Sequence, residues 1–141
     1  MYSEEEKKHV KFVLDLGTQD SKEAKAQLIQ NLSTLNSFVR DAVVESLVKI
    51  GDVDFLCKNM NNGHRYVRRG IIQALGQIGG SVASNKIIES LNDREWGVRM
   101  YAAEALGNIG KAKYADYLEK LLDDKHEWPR EEARKALEKL N

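Results

Sequence analysis

Apolar residues recur along this chain with the spacing of one face of a helix. From Val98 onward, apolar or small residues stand at positions 98, 102, 105, 106 and 109, which share one helical face. Ahead of them, Ile87 and Leu91 lie one turn apart on one face. The polar stretch LNDRE separates the two sets. This pattern predicts a helix, a short turn and a second helix.

The pattern occurs four times. Arg40, Arg68, Arg99 and Arg130 begin the four second helices and are 28, 31 and 31 residues apart. Leu47, Leu75, Leu106 and Leu137 keep the same offset from them. Such in-phase copies predict an all-α fold, an α-solenoid (superhelix) of stacked helix pairs. The expected organisation is one domain over residues 1–141, with repeats at 20–51, 52–79, 82–110 and 113–141.

Small residues mark the ends and contacts of the second helices. Three of these helices are expected to end at a glycine, which takes a left-handed cap without steric penalty. Small residues inside the helices predict close approach of a neighbouring helix. The cap positions are Gly51, Gly79 and Gly110, and the close-approach positions are Ala74, Gly76, Ala105 and Gly107.

The two ends of the chain differ from the repeats. Residues 1–17 predict a single capping helix, or half-repeat, in which Ser3 and Glu6 form a capping box. Asp20 with Glu23 resembles the start of the next helix. The highly charged last helix fits the polar cap that a stacked array needs.

Composition narrows the classes of function. Lys and Arg number 22, as do Asp and Glu, and this zero net charge argues against a dedicated nucleic-acid binder. Cys57 is the only cysteine, so no intrachain disulfide forms, and we expect it to fill a small space in the core. The acidic start is unlike a signal peptide, and no apolar run approaches the roughly 18 residues of a membrane helix. A cytoplasmic protein without membrane association is expected.

The repeat resembles a known family. V-R-x-x-A-x-x-A-L-G-x-I-G following L-x-D is similar to the HEAT-like repeat of the phycobilisome lyase family, over about residues 20–141. Asp93 and Asp124 match its Asp–Arg spacing, whereas Thr34 and Asn62 replace the aspartate in the first two repeats. Val48 also replaces the glycine found later at this position. The resemblance implies HEAT-like helix-turn-helix repeats, and in the lyases the attachment or detachment of bilin pigments.

Candidate chemistry is sparse. Deoxyhypusine hydroxylase, an enzyme with HEAT-like repeats, resembles this chain but carries His-Glu iron ligands just after the arginine. The matching pairs here lack histidine, and His126-Glu127 is out of phase. The histidines His9, His64 and His126 show no metal-ligand spacing with Cys57. The sequence therefore predicts no catalytic residue, no cofactor, no metal and no enzyme activity.

The arginine ladder has two interpretations, phosphate binding or structural support. Each arginine stands in the first turn of its helix, where an aspartate can pair with it across the turn. We favour a structural ladder that ties repeat to repeat. Its predicted members are Arg40, Arg68, Arg99, Arg130, Asp93 and Asp124.

The second helices also predict a binding face, because such helices line the concave side of a solenoid. Five of the ten aromatic residues fall at its outward positions, where aromatics and arginine favour binding. The alternative for Phe38, Tyr66 and Trp128 is that they hold the turns in place. The predicted face comprises Phe38, Asp41, Glu45, Arg65, Tyr66, Arg69, Gln73, Trp96, Met100, Tyr101, Glu104, Trp128 and Glu131.

These observations predict a protein-interaction scaffold or adaptor with a protein or peptide partner. One alternative is an accessory subunit of a lyase-type enzyme. Another is nucleic-acid binding through the basic residues 64–69, although the acidic fourth repeat would repel phosphate. The sequence does not predict an oligomeric state.

Overall fold

The computed structural model describes residues 2–140, and within them it contains nine α-helices and two 3-10 turns. The α-helices are α1 Glu4–Leu16, α2 Lys22–Asn31, α3 Ser37–Ile50, α4 Val53–Lys58, α5 Arg65–Ile78, α6 Ser81–Ser90, α7 Trp96–Ile109, α8 Ala115–Leu121 and α9 Glu127–Glu138. The 3-10 turn Asn59–Asn61 follows α4, and Ala112–Tyr114 precedes α8. The predicted helix pairs are therefore present, and in each pair the second helix is the longer.

The helices form two compact units, of which the first ends at Ala74 and the second begins at Leu75. In the first unit α1 packs against α2 and α3, and α2 packs against α3. In the second unit α7 packs against α6 and α9, and α8 packs against α9. Each unit thus contains second helices covered by first helices.

The core of each unit consists of the residues that the helical spacing predicted. Val39 and Leu47 of α3 are buried in the first unit, as are Val98 and Leu106 of α7 in the second. Burying such a side chain contributes roughly 1.5–3 kcal/mol. The largest buried side chain, Tyr114, was not predicted. Its hydroxyl forms a hydrogen bond with that of Ser84 at 3.1 Å, which ties the start of α8 to α6.

The first two helices begin at polar caps. Ser3 and Glu6 form the predicted capping box, in which each side chain accepts the other's backbone N–H. The prediction that Asp20 starts α2 is wrong by one residue. Ser21 has extended backbone and its Oγ accepts from the Ala24 N–H at 3.1 Å, so Ser21 is the cap.

Glycine ends α3 and α7 and allows close packing between α7 and α9. Gly51 and Gly110 have φ of 70° and 78°, the left-handed conformation that the predicted caps require. Gly107 lies against α9, where an added Cβ would stand 2.8 Å from the Cα and Cβ of Ala136. The predicted close approach of helices is therefore present at Gly107.

A polar tie joins α2 to α4 in the first unit. Lys25 Nζ lies 2.8 Å from Asp52 Oδ2, while Asp52 Oδ1 accepts from the Phe55 N–H and caps α4. The hydrogen bond from Lys25 lowers the pKa of Asp52. Cys57, which we expected in the core, is half-buried. In this six-residue helix Leu56 takes the core position instead.

Candidate functional site

One arginine in every repeat holds the entry to its second helix by the same bond. Its Nη1 donates to the backbone carbonyl six residues earlier, so the bond does not depend on the side chain in the turn. The four bonds are Arg40 to Thr34 at 2.7 Å, Arg68 to Asn62 at 2.8 Å, Arg99 to Asp93 at 2.8 Å and Arg130 to Asp124 at 2.7 Å. A hydrogen bond from a charged donor contributes about 1.5–3 kcal/mol.

The residue that supplies this carbonyl also shapes the turn with its side chain. Its oxygen accepts a hydrogen bond from the backbone N–H two residues later. Threonine, asparagine and aspartate all provide such an oxygen, which explains why the position varies. The four bonds are Asn36 to Thr34, His64 to Asn62, Glu95 to Asp93 and His126 to Asp124.

An ion pair connects the third and fourth repeats within the second unit. Arg99 Nε and Nη2 donate to the two carboxylate oxygens of Asp124 at 2.7 and 3.0 Å. Both side chains are only 8% exposed. The carboxylate of Asp124 thus pairs with the preceding repeat, whereas the predicted pairing across its own turn to Arg130 uses the backbone carbonyl.

The pKa of Asp124 reflects two opposing effects. Burial acts to raise the pKa of this carboxyl group, because a charged group is poorly solvated there. Hydrogen bonds from Arg99 and from the His126 backbone N–H outweigh burial and hold the pKa below its ordinary value of 3.8. The carboxylate is therefore stabilised in its charged form.

The two tryptophans of the second unit differ in their surroundings. Trp96 is half-buried and its ring stacks on His126, with centroids 4.3 Å apart and planes 5° apart. The Nδ1 atom of His126 accepts from the Trp128 N–H at 3.2 Å, so His126 caps α9 as well. Trp128 itself is 54% exposed. Trp96 thus packs within its own unit, whereas Trp128 presents its ring to solvent.

Acidic residues lie on the same two helices as these tryptophans. Glu104 on α7 is exposed, while Glu131 and Glu132 on α9 are half-buried. Burial, and then the charge of Glu104, raises the pKa of Glu132. Met100 and Tyr101 of α7 are half-buried. The predicted face is therefore acidic as well as aromatic in the second unit.

In the first unit, Phe38 packs against a residue that the sequence did not connect with it. Its ring is 41% exposed and meets Tyr2 edge-on, with centroids 4.4 Å apart. Asp41 and Glu45, further along α3, are exposed. The contact with Tyr2 means that Phe38 packs the segment before α1 against α3.

Tyr66 lies at the centre of a group of arginines in the first unit. The guanidinium carbons of Arg40, Arg65 and Arg69 lie 4.6, 5.2 and 5.2 Å from its ring centroid. The His64 ring is 5.6 Å away. The basic stretch 64–69 was predicted, but Arg40 comes from α3 and joins it only in the fold. Gln73, on the same α5, is half-buried.

A groove of about 770 Å³ lies in the second unit between α6 and α8, and Arg99 and Asp124 are among the residues that line it. Apolar and charged side chains both line the groove, and the sequence did not predict it. Residues that line it include Ile88, Leu91, Tyr117, Leu121, Arg94 and Lys120.

Two further observations concern metals and membranes. Within residues 2–140 no group of three or more His, Cys, Asp or Glu side chains is arranged to hold a metal ion. None of the helices in that same part of the chain combines the length and apolar character needed to cross a bilayer.

Comparison with known families identifies the repeat. The profile described as HEAT repeats matches residues 53–138, which include the helices from α4 to α9. The chain belongs to the HEAT repeat family. HEAT repeats pair two helices through a turn, and the predicted class, all-α with HEAT-like helix-turn-helix repeats, is confirmed. The match is to HEAT repeats in general, so the lyase-type resemblance stays a prediction.

Solved structures show the same fold at low identity. Human deoxyhypusine hydroxylase in complex with glycerol is 24% identical over 82% of this chain, with a TM-score of 0.62. Two engineered proteins are 22% and 20% identical over 83% and 90% of the chain, with TM-scores of 0.51 and 0.53. This chain spans 42% of the hydroxylase, and 62% and 78% of the engineered proteins. No curated protein matches the sequence.

The likeness to the hydroxylase corrects one prediction. We concluded from the sequence that this HEAT-repeat chain is not an enzyme, and that conclusion is wrong, because an enzyme shares its fold. The missing His-Glu pairs show only that the iron ligands of that one enzyme are absent at the matching positions. They do not bear on other chemistry that a HEAT-repeat fold can carry.

Proposed function

We propose that this HEAT-repeat chain binds a protein or peptide partner through exposed side chains of its second helices. The observation that carries this proposal is Trp128, which is 54% exposed on α9. Tryptophan, tyrosine and arginine are the residues most enriched at the energetic centres of protein interfaces. Covering an exposed indole with a partner removes apolar surface from water, which favours binding.

The chemistry around the aromatic side chains also supports this proposal. In the second unit Trp128 shares α9 with Glu131 and Glu132, and in the first unit Tyr66 is surrounded by arginines. Rings beside charged groups supply contact area and orientation together. Each unit therefore offers its own contact surface to a partner.

Two of the predicted aromatic residues are weaker candidates. Phe38 already contacts Tyr2, and Trp96 already stacks on His126. These contacts agree with the alternative in which such rings hold the repeat in place. No other ring stacks on Trp128 within residues 2–140. Trp128 is therefore the main residue to test. Tyr66 is tested with it because three guanidinium groups lie around its half-buried ring.

The test is affinity capture from an extract of the native cells with matched variants. The test variant carries Trp128→Ala and Tyr66→Ala. The control carries Phe12→Ala and Tyr117→Ala, which remove two aromatics that are 46% and 44% exposed, on the capping helix α1 and on α8. We expect one protein to be retained by the wild type and the control and lost from the test variant.

Circular dichroism checks that both double variants remain helical, so that loss of capture reports on the surface. Equal retention by the test variant and the wild type would contradict the proposed surface. Equal loss from both double variants would show that capture depends on exposed aromatics in general.

The lyase-type alternative has its own test. Mixing the protein with a bilin and its carrier protein should change the visible absorbance if the chain supports pigment attachment. An unchanged spectrum counts against that alternative and leaves the binding proposal as it stands.

A further inference from the structure

Equivalent arginines in the two units differ in how the N–H donors of their side chains are used. Arg99 uses Nη1 for the backbone carbonyl and Nε and Nη2 for the carboxylate of Asp124. Arg40 forms the same backbone bond, to Thr34, but no ion pair with any residue among 2–140. The position equivalent to Asp124 in the next turn is Asn62, a neutral amide. Arg40 therefore keeps donors that an anion can use.

The surroundings of Arg40 favour an anion. The guanidinium of Arg40 lies over the face of Tyr66, and those of Arg65 and Arg69 lie near the same ring. Arg65 is exposed and forms no ion pair within the described part of the chain. Like charges held this close repel one another, and a bound anion removes that repulsion. The face of an aromatic ring attracts guanidinium groups, so Tyr66 helps to hold these positive charges together.

We infer that Arg40 and Arg65, gathered around Tyr66, form a binding site for a carboxylate in an acidic segment of the partner protein. This inference rests on the proposed function and adds the chemistry of the partner. The second unit provides the precedent, because the ligand of the equivalent arginine there is a carboxylate held by two hydrogen bonds. Arginine matches the planar carboxylate with two parallel N–H donors.

The surrounding charges favour a peptide over a nucleic acid. Asp41 and Glu45 are exposed on α3, the helix that carries Arg40. They would repel a continuous phosphate backbone, whereas a peptide can place one carboxylate at the arginines and apolar residues elsewhere. The zero net charge of the chain gives no general attraction for polyanions.

The test measures, by fluorescence anisotropy, binding of a labelled peptide that carries one glutamate between apolar residues. The test variant carries Arg40→Gln and Arg65→Gln. The control carries Lys8→Gln and Lys22→Gln, which remove the same charge from two exposed positions on α1 and α2. We expect the test variant to bind roughly tenfold more weakly or worse, and the control to match the wild type.

A second pair of variants adds a carboxylate near the site instead of removing an arginine. Asn62→Asp places a carboxylate where it competes with the peptide for Arg40. Asn61→Asp adds the same charge at the exposed neighbouring position. We expect Asn62→Asp to weaken peptide binding more than Asn61→Asp does. Arg65→Gln alone leaves the backbone bond of Arg40 intact, so a loss of affinity there cannot come from a loosened helix.

Three results would overturn the inference. They are a wild type that does not bind the peptide, equal weakening in the lysine control, and tighter binding of single-stranded DNA through the same arginines. None of these results tests the role of Trp128, which lies in the second unit. Capture that is lost in Trp128→Ala but unaffected by Arg40→Gln and Arg65→Gln would keep the proposed function and reject this site.

Discussion

Arg40 and Arg99, in the first turns of α3 and α7, occupy equivalent positions but have different chemical surroundings. Arg99 is buried and receives the carboxylate of Asp124, so its charge is neutralised within the chain. Arg40 is half-buried and faces the ring of Tyr66, with two more guanidinium groups beyond it. Both arginines nevertheless donate to the carbonyl six residues earlier.

This difference shows that the same position pairs with an internal carboxylate in one repeat and forms no ion pair within residues 2–140 in another. The bond to the backbone carbonyl is common to all four repeats and explains why each repeat has an arginine at this position. Whether the arginine also has a carboxylate partner depends on one residue in the next turn, which is Asp124 for Arg99 and Asn62 for Arg40. A single side chain thus decides whether the remaining donors are used internally.

Removing the carboxylate of Asp124 should lower the free energy of unfolding more than any other change considered below. Asp124→Asn leaves a buried Arg99 without its anion, and breaking such a pair costs about 3 kcal/mol. We expect that loss in the free energy of unfolding, measured by urea denaturation at neutral pH. Asp123→Asn, at the exposed neighbouring position, should change stability by less than about 0.5 kcal/mol. Equal effects of both substitutions would contradict a buried ion pair.

The same pair should make stability depend on acidity. The folded-state pKa of Asp124 lies below its ordinary value of 3.8, so its charged form stabilises the fold above that pH. This contribution is lost as the pH falls through the folded-state pKa. We therefore expect the gap between wild type and Asp124→Asn to be constant near neutral pH and to shrink below about pH 4. Urea titrations over this range measure it, and a gap that persists at the lowest pH contradicts the assignment.

Close helix packing offers a second contrast between the repeats. The first repeat has the half-buried Val48 where the third has Gly107. In Gly107→Ala the new Cβ would meet the backbone of Ala136, and such overpacking costs about 1–3 kcal/mol. Gly63→Ala, where no atom lies within 4 Å of the new Cβ, is the control. Thermal unfolding should show a lower midpoint for the first variant only, and a stabilising Gly107→Ala would contradict the contact.

The smallest expected change makes the first unit more like the second. Asn62→Asp keeps the turn oxygen and adds a carboxylate for Arg40, which should stabilise the fold by up to about 1 kcal/mol. Asn61→Asp controls for the added charge. A stability gain in urea that is confined to Asn62→Asp, and that weakens at high salt, supports the equivalence of the two turns. No difference between the two variants would contradict it.

The sequence predicted the helices well because their determinants are local. Helical spacing, the caps at Gly51 and Gly110 and the capping box at Ser3 all act within a few residues of where they stand. Asp20 was chosen as a cap because it too has a suitable side chain. Only the backbone conformation distinguishes it from Ser21.

The candidate site was less predictable because its contacts join distant residues. Arg40 and Tyr66 are separated by 26 positions, and His126 meets Trp96 across 30. The acceptor of each arginine is a backbone carbonyl, which leaves no mark on residue identity. The constant six-residue offset from the turn residue to the arginine was the available signal. We interpreted it as a side-chain pair because two of the four turn residues are aspartates.

The carbonyl that receives each arginine has a consequence for how such a chain can evolve. Every residue supplies a backbone carbonyl, so exchanges in the turn preserve the entry to the helix as long as the arginine remains. Selection can therefore alter the turn in one repeat, and with it the specificity of that repeat, without a matching change elsewhere. The HEAT array can thus diversify one repeat at a time.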